Sequence, residues 1–268
     1  MSAKEIIQKI SQSKKYKALY EKTIERVVRD CLTRYPEKEA EKRAKNLLHQ
    51  IWGAYFPSRP HFQKLLADFK QEIENGKNVK EAVRPLLQSQ SSIKERLPIL
   101  DDFYRKIFSV TGVPDSIIDH ACGFNPLTYF WLPQGIKYFG FDIDKNQAEF
   151  LKSVFKILNI DRVKIDLGDI LTDKFPQADI VFLLKLLPLL EHQQKGSSLE
   201  VLKKQRCKYL VVSFPTKTVS GKEKGMIDFY SKQFQDLIRN ELWQTEKILF
   251  PTELIFIVKK PDNEVLRR

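Results

Sequence analysis

Cysteine is scarce in this sequence: Cys31, Cys122 and Cys207 stand far apart among 268 residues. An odd, scattered set excludes a disulfide framework and fits the reduced thiols of a cytoplasmic protein. Histidine is nearly as rare, four in all with no ligand-like spacing, so neither a zinc site nor another metal is expected. The ten glycines contain no G-x-G-x-x-G run, which argues against a dinucleotide pyrophosphate as ligand. Long apolar runs are also missing. The most apolar stretch, "IVFLLKLLPLL" at 180–190, is interrupted by Lys185 and Pro188 and is too short to span a bilayer. The first ten residues, MSAKEIIQKI, carry charge throughout and offer no apolar core for a signal peptide.

Positive charge is abundant. The formal net charge is +12, and it is unevenly spread. Residues 1–106 hold 23 Lys+Arg against 14 Asp+Glu, whereas 107–268 hold 23 against 20. Such asymmetry fits a module that docks on a polyanion, and equally a lysine-rich solvated helical surface.

Two textures accompany this division into 1–106 and 107–268. Helical texture runs to 110: apolar residues recur at helical spacing near 20–34, 38–55, 60–75 and 93–110, and Ile93, Leu97, Leu100, Tyr104, Ile107 and Phe108 form one such stripe. Ser92 followed by Glu95 reads as a capping box, and Pro98 predicts a break soon after it, leaving Arg96 on a short turn. After 110 short apolar strands alternate with helices. Strands are expected at 116–119, 137–142, 162–167, 178–184, 208–214, 245–250 and 253–260, with helices at 145–159 and 228–240. Continuous apolar strands alternating with helices predict an α/β, doubly wound, largely parallel sheet buried on both faces. Only Pro251-Thr252 separates the last two strands, which forces a hairpin. Seven strands ending this way match the Rossmann-like class I S-adenosylmethionine-dependent methyltransferase arrangement.

Acids close the first strands. Asp119 ends the first, just before Ala121-Cys122-Gly123; Asp142 ends the second, 19 residues after Gly123; Asp169 follows the third. An acid about 20 residues past a glycine turn is placed to accept hydrogen bonds from ribose hydroxyls. A lone acid in such a place is as readily a cap, as expected for Asp144 before the helix at Lys145. Three at consecutive strand ends favour a nucleoside site. "DHACGFNPL" at 119–127 packs an acid, a glycine and Asn125-Pro126 tightly around one strand end, where backbone can come close to a ligand.

"SKKYKAL" (13–19), "SSIKERL" (91–97), "DHACGFNPL" (119–127), "FLLKLLPLLE" (182–191), "SFPTKTVSGKEKGM" (213–226) and "TELIFIVKK" (252–260) resemble, in the same order, blocks of the aminoglycoside-resistance 16S rRNA (guanine(1405)-N7) methyltransferases. The resemblance implies S-adenosylmethionine as donor and a helical region that docks on the 30S ribosomal subunit. By the same resemblance Arg96 holds the methionine carboxylate. Asp119, Ala121 and Gly123 bring backbone to the donor, Asp142 with Ile143 meets the ribose, and Asp169 with Ile170 meets the adenine. Leu186, itself expected beside the donor, takes with Leu187 and Pro188 the place of the Asn/Asp-Pro-Pro motif of amino-methylating enzymes. Met226, Lys217, Lys222 and Lys224 lie against the target nucleotide, and Lys14, Lys15, Lys17, Lys64 and Lys70 are candidate rRNA contacts. His120 and Phe124 stand where the family usually has aliphatic residues, and Glu223 interrupts the basic loop. The implied protein is a cytoplasmic monomer that binds neither DNA nor membrane. Methylation of a nearby rRNA adenine at N1, action on another structured RNA, and a non-catalytic RNA-binding assembly factor of the same fold remain open.

Overall fold

The computed structural model of the protein describes residues 2–53, 60–217 and 225–261. Three helices come first: α1 (Ala3–Gln12), α2 (Glu21–Arg34) and α3 (Glu37–Gly53). A reciprocal capping box starts α1, with the Glu5 N–H donating to Ser2 Oγ and the Ser2 N–H to the Glu5 carboxylate. Ile24, Val27, Val28 and Cys31 form the apolar stripe of α2. They pack on Ile6 and Ile10 of α1 and on Ala40, Ala44, Leu48 and Ile51 of α3, a small core of its own.

The next four helices do not join that core. They are α4 (Phe62–Glu74), α5 (Val79–Gln88), α6 (Ser91–Arg96) and α7 (Leu100–Thr111). Their buried residues, among them Phe69, Val83, Leu87, Phe103 and Ile107, share one core with Ile117, Tyr138 and Ile180 of the sheet. The helical region is therefore a three-helix unit plus a layer that covers the sheet, and the expected boundary at 106/107 falls inside α7. Pro98 does break the chain, within a 3-10 turn at Leu97–Ile99. The capping box expected at Ser92 is absent: α6 starts at Ser91 with Gln90 as its uncapped flank. Ser92 thus lies one residue inside the helix, and Glu95 reaches Lys185 Nζ instead. Helix α5 is one that the sequence pattern does not announce, and Pro85 lies within it.

All seven expected strands form: β1 (Ser116–His120), β2 (Lys137–Asp142), β3 (Val163–Leu167), β4 (Ala178–Leu184), β5 (Cys207–Pro215), β6 (Gln244–Leu249) and β7 (Glu253–Lys259). Their order is β3-β2-β1-β4-β5-β7-β6, with β7 antiparallel to both neighbours. Alternation along each strand divides the core. Ile117, Ile180, Phe182, Val211 and Ile257 face α4–α7 and α8 (Lys145–Ile157). Ile118, Val181, Leu183, Val212 and Phe256 face α9 (Leu187–Gln193), α10 (Ser197–Lys204) and α11 (Met226–Ile238). Apolar residues on both sides of every central strand are what a sheet covered on both faces requires.

Candidate active site

Strand order reverses between β1 and β4, and the crevice beyond their carboxyl ends is where an open α/β sheet receives a ligand. The backbone leaves both strands through left-handed conformations: Ala121 (φ 51°) and Gly123 (φ 53°) after β1, Lys185 (φ 57°) after β4. Such a conformation costs a non-glycine residue roughly 1–2 kcal/mol. Strain of this kind concentrates at sites where geometry serves a ligand.

One cleft opens here, and all nine residues expected to hold a donor line it: Arg96, Asp119, Ala121, Gly123, Asp142, Ile143, Asp169, Ile170 and Leu186. Asp142 organises its near wall. Its Oδ2 accepts from the Gly123 N–H at 2.9 Å, and its Oδ1 from the N–H groups of Ile143 (2.7 Å) and Asp144 (3.2 Å). Burial pushes this carboxyl above its ordinary range, and the Gly123 N–H pulls the other way. A Cβ at Gly123 would lie 2.5 Å from the Gln90 amide and would force that side chain to move, and the positive φ disfavours a side chain there as well. Gln90 in turn accepts the Phe124 N–H at 2.7 Å, so a residue of the helical layer fixes the turn after β1.

Asn125 explains the crowding around the end of β1. Its Nδ2 donates to Asp119 Oδ2 at 2.8 Å and to the Tyr138 hydroxyl at 3.1 Å, while its Oδ1 accepts from Arg96 Nη1 at 2.8 Å. The Tyr138 hydroxyl donates to Asp119 at 2.6 Å. Arg96 is buried and grips Glu253, the first residue of β7, through Nε (2.8 Å) and Nη2 (3.0 Å). Those three bonds leave one N–H on each terminal nitrogen of Arg96. Burial lifts the Asp119 carboxyl to about 6.

At the far end Asp169 accepts from Arg26 Nε at 2.9 Å and from the Leu171 N–H at 3.0 Å. The apolar wall is the first turns of α9. Leu186, Leu189, Leu190 and Gln193 all line the cleft, the i, i+3, i+4, i+7 spacing of one helix face.

A profile of the ribosomal RNA methyltransferase (FmrO) family matches residues 12–257. The chain belongs to that family. The 16S rRNA (guanine(1405)-N(7))-methyltransferase of Proteus mirabilis is 35% identical over 271 residues, covering 96% of each chain. Its counterpart from Micromonospora echinospora is 33% identical and likewise covers 96% of each. The 16S rRNA methyltransferase RmtF, solved in complex with S-adenosyl-L-homocysteine, superposes with a TM-score of 0.82 at 28% identity, over 97% of this chain and 100% of that one. This methyltransferase therefore takes S-adenosylmethionine as its donor. The cleft suits it: a glycine turn after β1, a carboxylate held at the end of β2 and an apolar slot along α9.

Other expected residues of the methyltransferase lie elsewhere. Leu187 is buried in the core beneath α9, and Pro188 sits half-buried in the first turn of that helix; Leu189 and Leu190 face the cleft in their stead. That face follows from helical spacing once α9 is known to start at Leu187. Met226 opens α11 after Gly225 (φ 80°) and does not line the cleft. Lys217 is exposed past β5, and Lys222 and Lys224 lie outside the described residues. Lys14, Lys15 and Lys17 are exposed on the turn after α1, whereas Lys64 and Lys70 are exposed on α4, where Lys70 pairs with Glu74. The basic candidates are thus divided between the three-helix unit and the layer over the sheet. His120 is buried, bonded to Gln205 at 2.9 Å and held near 4 by burial. Phe124 packs against Phe62 and Phe150. These two departures are core residues, and the third, Glu223, lies outside the described residues.

Proposed function

We propose that this methyltransferase acts on N7 of guanine 1405 in the 16S rRNA of the 30S subunit, and thereby confers aminoglycoside resistance. The observation that carries the reading is the apolar face of α9, Leu186, Leu189 and Leu190, at the mouth of β4. Guanine N7 offers a lone pair and carries no proton, so its attack needs orientation rather than a general base. S-adenosylmethionine supplies the electrophilic methyl group when bound. Asp142 would fix the ribose, Arg96 the carboxylate end and Ile170 with Leu190 the adenine plane, so that the methyl is aimed past Leu186.

The three-helix unit, with Lys14, Lys15 and Lys17 at its surface, would grip rRNA phosphates, and Lys217 past β5 with Met226 at the start of α11 would meet the target nucleotide. Drawing a base out of helical rRNA costs a few kcal/mol, which that grip would offset. The product guanine is cationic and repels a cationic drug at the same place. Among the described residues no helix is long and apolar enough to cross a membrane, in keeping with action on ribosomal subunits.

The test is methyl transfer from labelled S-adenosylmethionine to intact 30S subunits and to naked 16S rRNA, mapped by borohydride–aniline cleavage, which cuts at N7-methylguanine. A single cut at guanine 1405 in 30S is expected. Label without that cut moves the methyl to another atom, adenine N1 among them, and overturns the assignment.

A further inference from the structure

The donor cleft is not closed by the catalytic body alone. Thr23 and Arg26 of α2 and Ile51 and Trp52 of α3 also line it. Thr23 is fully buried, and among the described residues its hydroxyl has no hydrogen-bond partner. An orphaned hydroxyl on a residue in the wall of a cleft can be satisfied by a polar group from a ligand.

Polar bridges from the three-helix unit converge on the same cleft. Arg26 donates through Nε to Asp169 (2.9 Å) and through Nη2 to Gln193 (2.8 Å). Lys22 pairs with Asp173 at 2.9 Å, and Trp52 Nε1 donates to Asp144 at 2.7 Å. The Tyr20 N–H donates to the Ile143 carbonyl and the Lys145 N–H to the Ala18 carbonyl, each at 2.8 Å. These bridges land on 143–145, 169–173 and Gln193, the segments that carry Ile143, Asp169 and the cleft face of α9. The Arg26 side chain is 13% exposed and that of Asp169 4%, so this charge pair is held largely out of water.

We propose that the three-helix unit forms one wall of the donor site, with Thr23 touching the donor and Arg26 positioning Asp169 and Gln193, so that donor binding and the seating of the unit on the catalytic body are coupled. This rests on the cleft being the S-adenosylmethionine site. Linkage makes the coupling reciprocal: whatever seats the unit more firmly tightens donor binding by the same factor. An rRNA surface gripping the unit would act in this way.

The experiment is calorimetry of S-adenosylhomocysteine with the full chain, as wild type, Arg26→Ala, Arg26→Lys, Thr23→Val and Trp52→Phe. Arg26→Ala is expected to raise Kd by about tenfold or more, the loss of a charge-assisted fork. Arg26→Lys recovers part of the loss, because an ammonium replaces the charge but not the two-pronged geometry. Thr23→Val keeps the shape and removes the hydroxyl, and is expected to raise Kd about fivefold, the scale of one neutral hydrogen bond. In methyl transfer to 30S these variants raise the donor KM while kcat at saturating donor holds. S-adenosylhomocysteine should also slow amide exchange along 21–34 and 37–53. Should Arg26→Ala not fold, Thr23→Val and Trp52→Phe carry the test.

A purely structural role lowers melting temperature equally with and without the ligand and leaves Kd unchanged, which overturns the proposal. Exchange in α2 and α3 indifferent to saturating ligand overturns it as well. Failure of the wild type itself to bind S-adenosylhomocysteine overturns the donor reading, and this inference with it.

Discussion

The Gly123 N–H donates to Asp142 Oδ2 at 2.9 Å, joining the turn after β1 to the end of β2 across 19 residues of chain. The turn holds the left-handed backbone of Gly123 (φ 53°), and the Gln90 side chain packs where a Cβ would stand.

Gly123→Ala tests that directly. Left-handed backbone costs an L-residue roughly 1–2 kcal/mol, and the new methyl must also displace Gln90 from the Phe124 N–H. Urea unfolding should show a loss of at least that size, and S-adenosylhomocysteine binding should vanish in calorimetry. Wild-type affinity in this variant would mean that the turn does not approach the donor.

Glu253→Ala removes the counter-charge of a buried guanidinium. Truncating one partner of a buried pair costs about 3–5 kcal/mol, so the denaturation midpoint should fall steeply. The double variant Arg96→Met with Glu253→Leu should regain much of that stability and still fail to bind donor. A single variant as stable as wild type would show that water reaches Arg96.

Asp119→Asn gives a pH signature. Burial raises this carboxyl from 3.8 to about 6, so the unfolded chain releases the proton first. The group therefore works against folding as pH rises from about 4 to 6, and the full penalty stands above that range. Asparagine keeps an acceptor for Tyr138 and Asn125 and removes the charge. The variant should match wild type near pH 4 and exceed it at about pH 8, by at most about 3 kcal/mol for a shift of this size. His120, held near 4 by burial, destabilises as pH falls from its usual 6.5 toward 4. It is common to both proteins and cancels in the comparison. Equal stability at high pH would contradict the buried charge.

Lys14, Lys15 and Lys17 are exposed on one turn. Replacing all three by alanine should weaken 30S binding and flatten its dependence on salt, by about 0.7–0.9 in log–log slope for every phosphate no longer neutralised. Donor affinity should be unchanged. A binding curve with the wild-type slope would return these lysines to the role of solubilising charge.

Much of the catalytic body was legible in the sequence because it is local. Strands announce themselves as short β-branched runs, and Asp119, Asp142 and Asp169 lie at strand ends where chain order alone puts them. Asp144 likewise caps α8, accepting from the Asn146 and Gln147 N–H groups. The parts that escaped are those fixed by distant pairing. Arg96 meets Glu253 across 157 residues, and Arg26 meets Asp169 across 143; no periodicity encodes either. The division into a three-helix unit and a covering layer escaped for the same reason, since amphipathic helices all show an apolar stripe and only the tertiary core tells which face meets which. Leu187 faces the core rather than the cleft because α9 begins at it, and the run of leucines that ends the strand before it blurs where that helix starts.

The reversed direction of β7 has a bearing on folding order. Running against its neighbours, it delivers Glu253, its first residue, to the edge where the parallel strands finish. Arg96 lies far earlier in the chain, so a sheet assembled from β1 to β5 without β7 leaves its guanidinium without the carboxylate that grips it. The hairpin that closes the sheet thus also completes the charge pair beneath it.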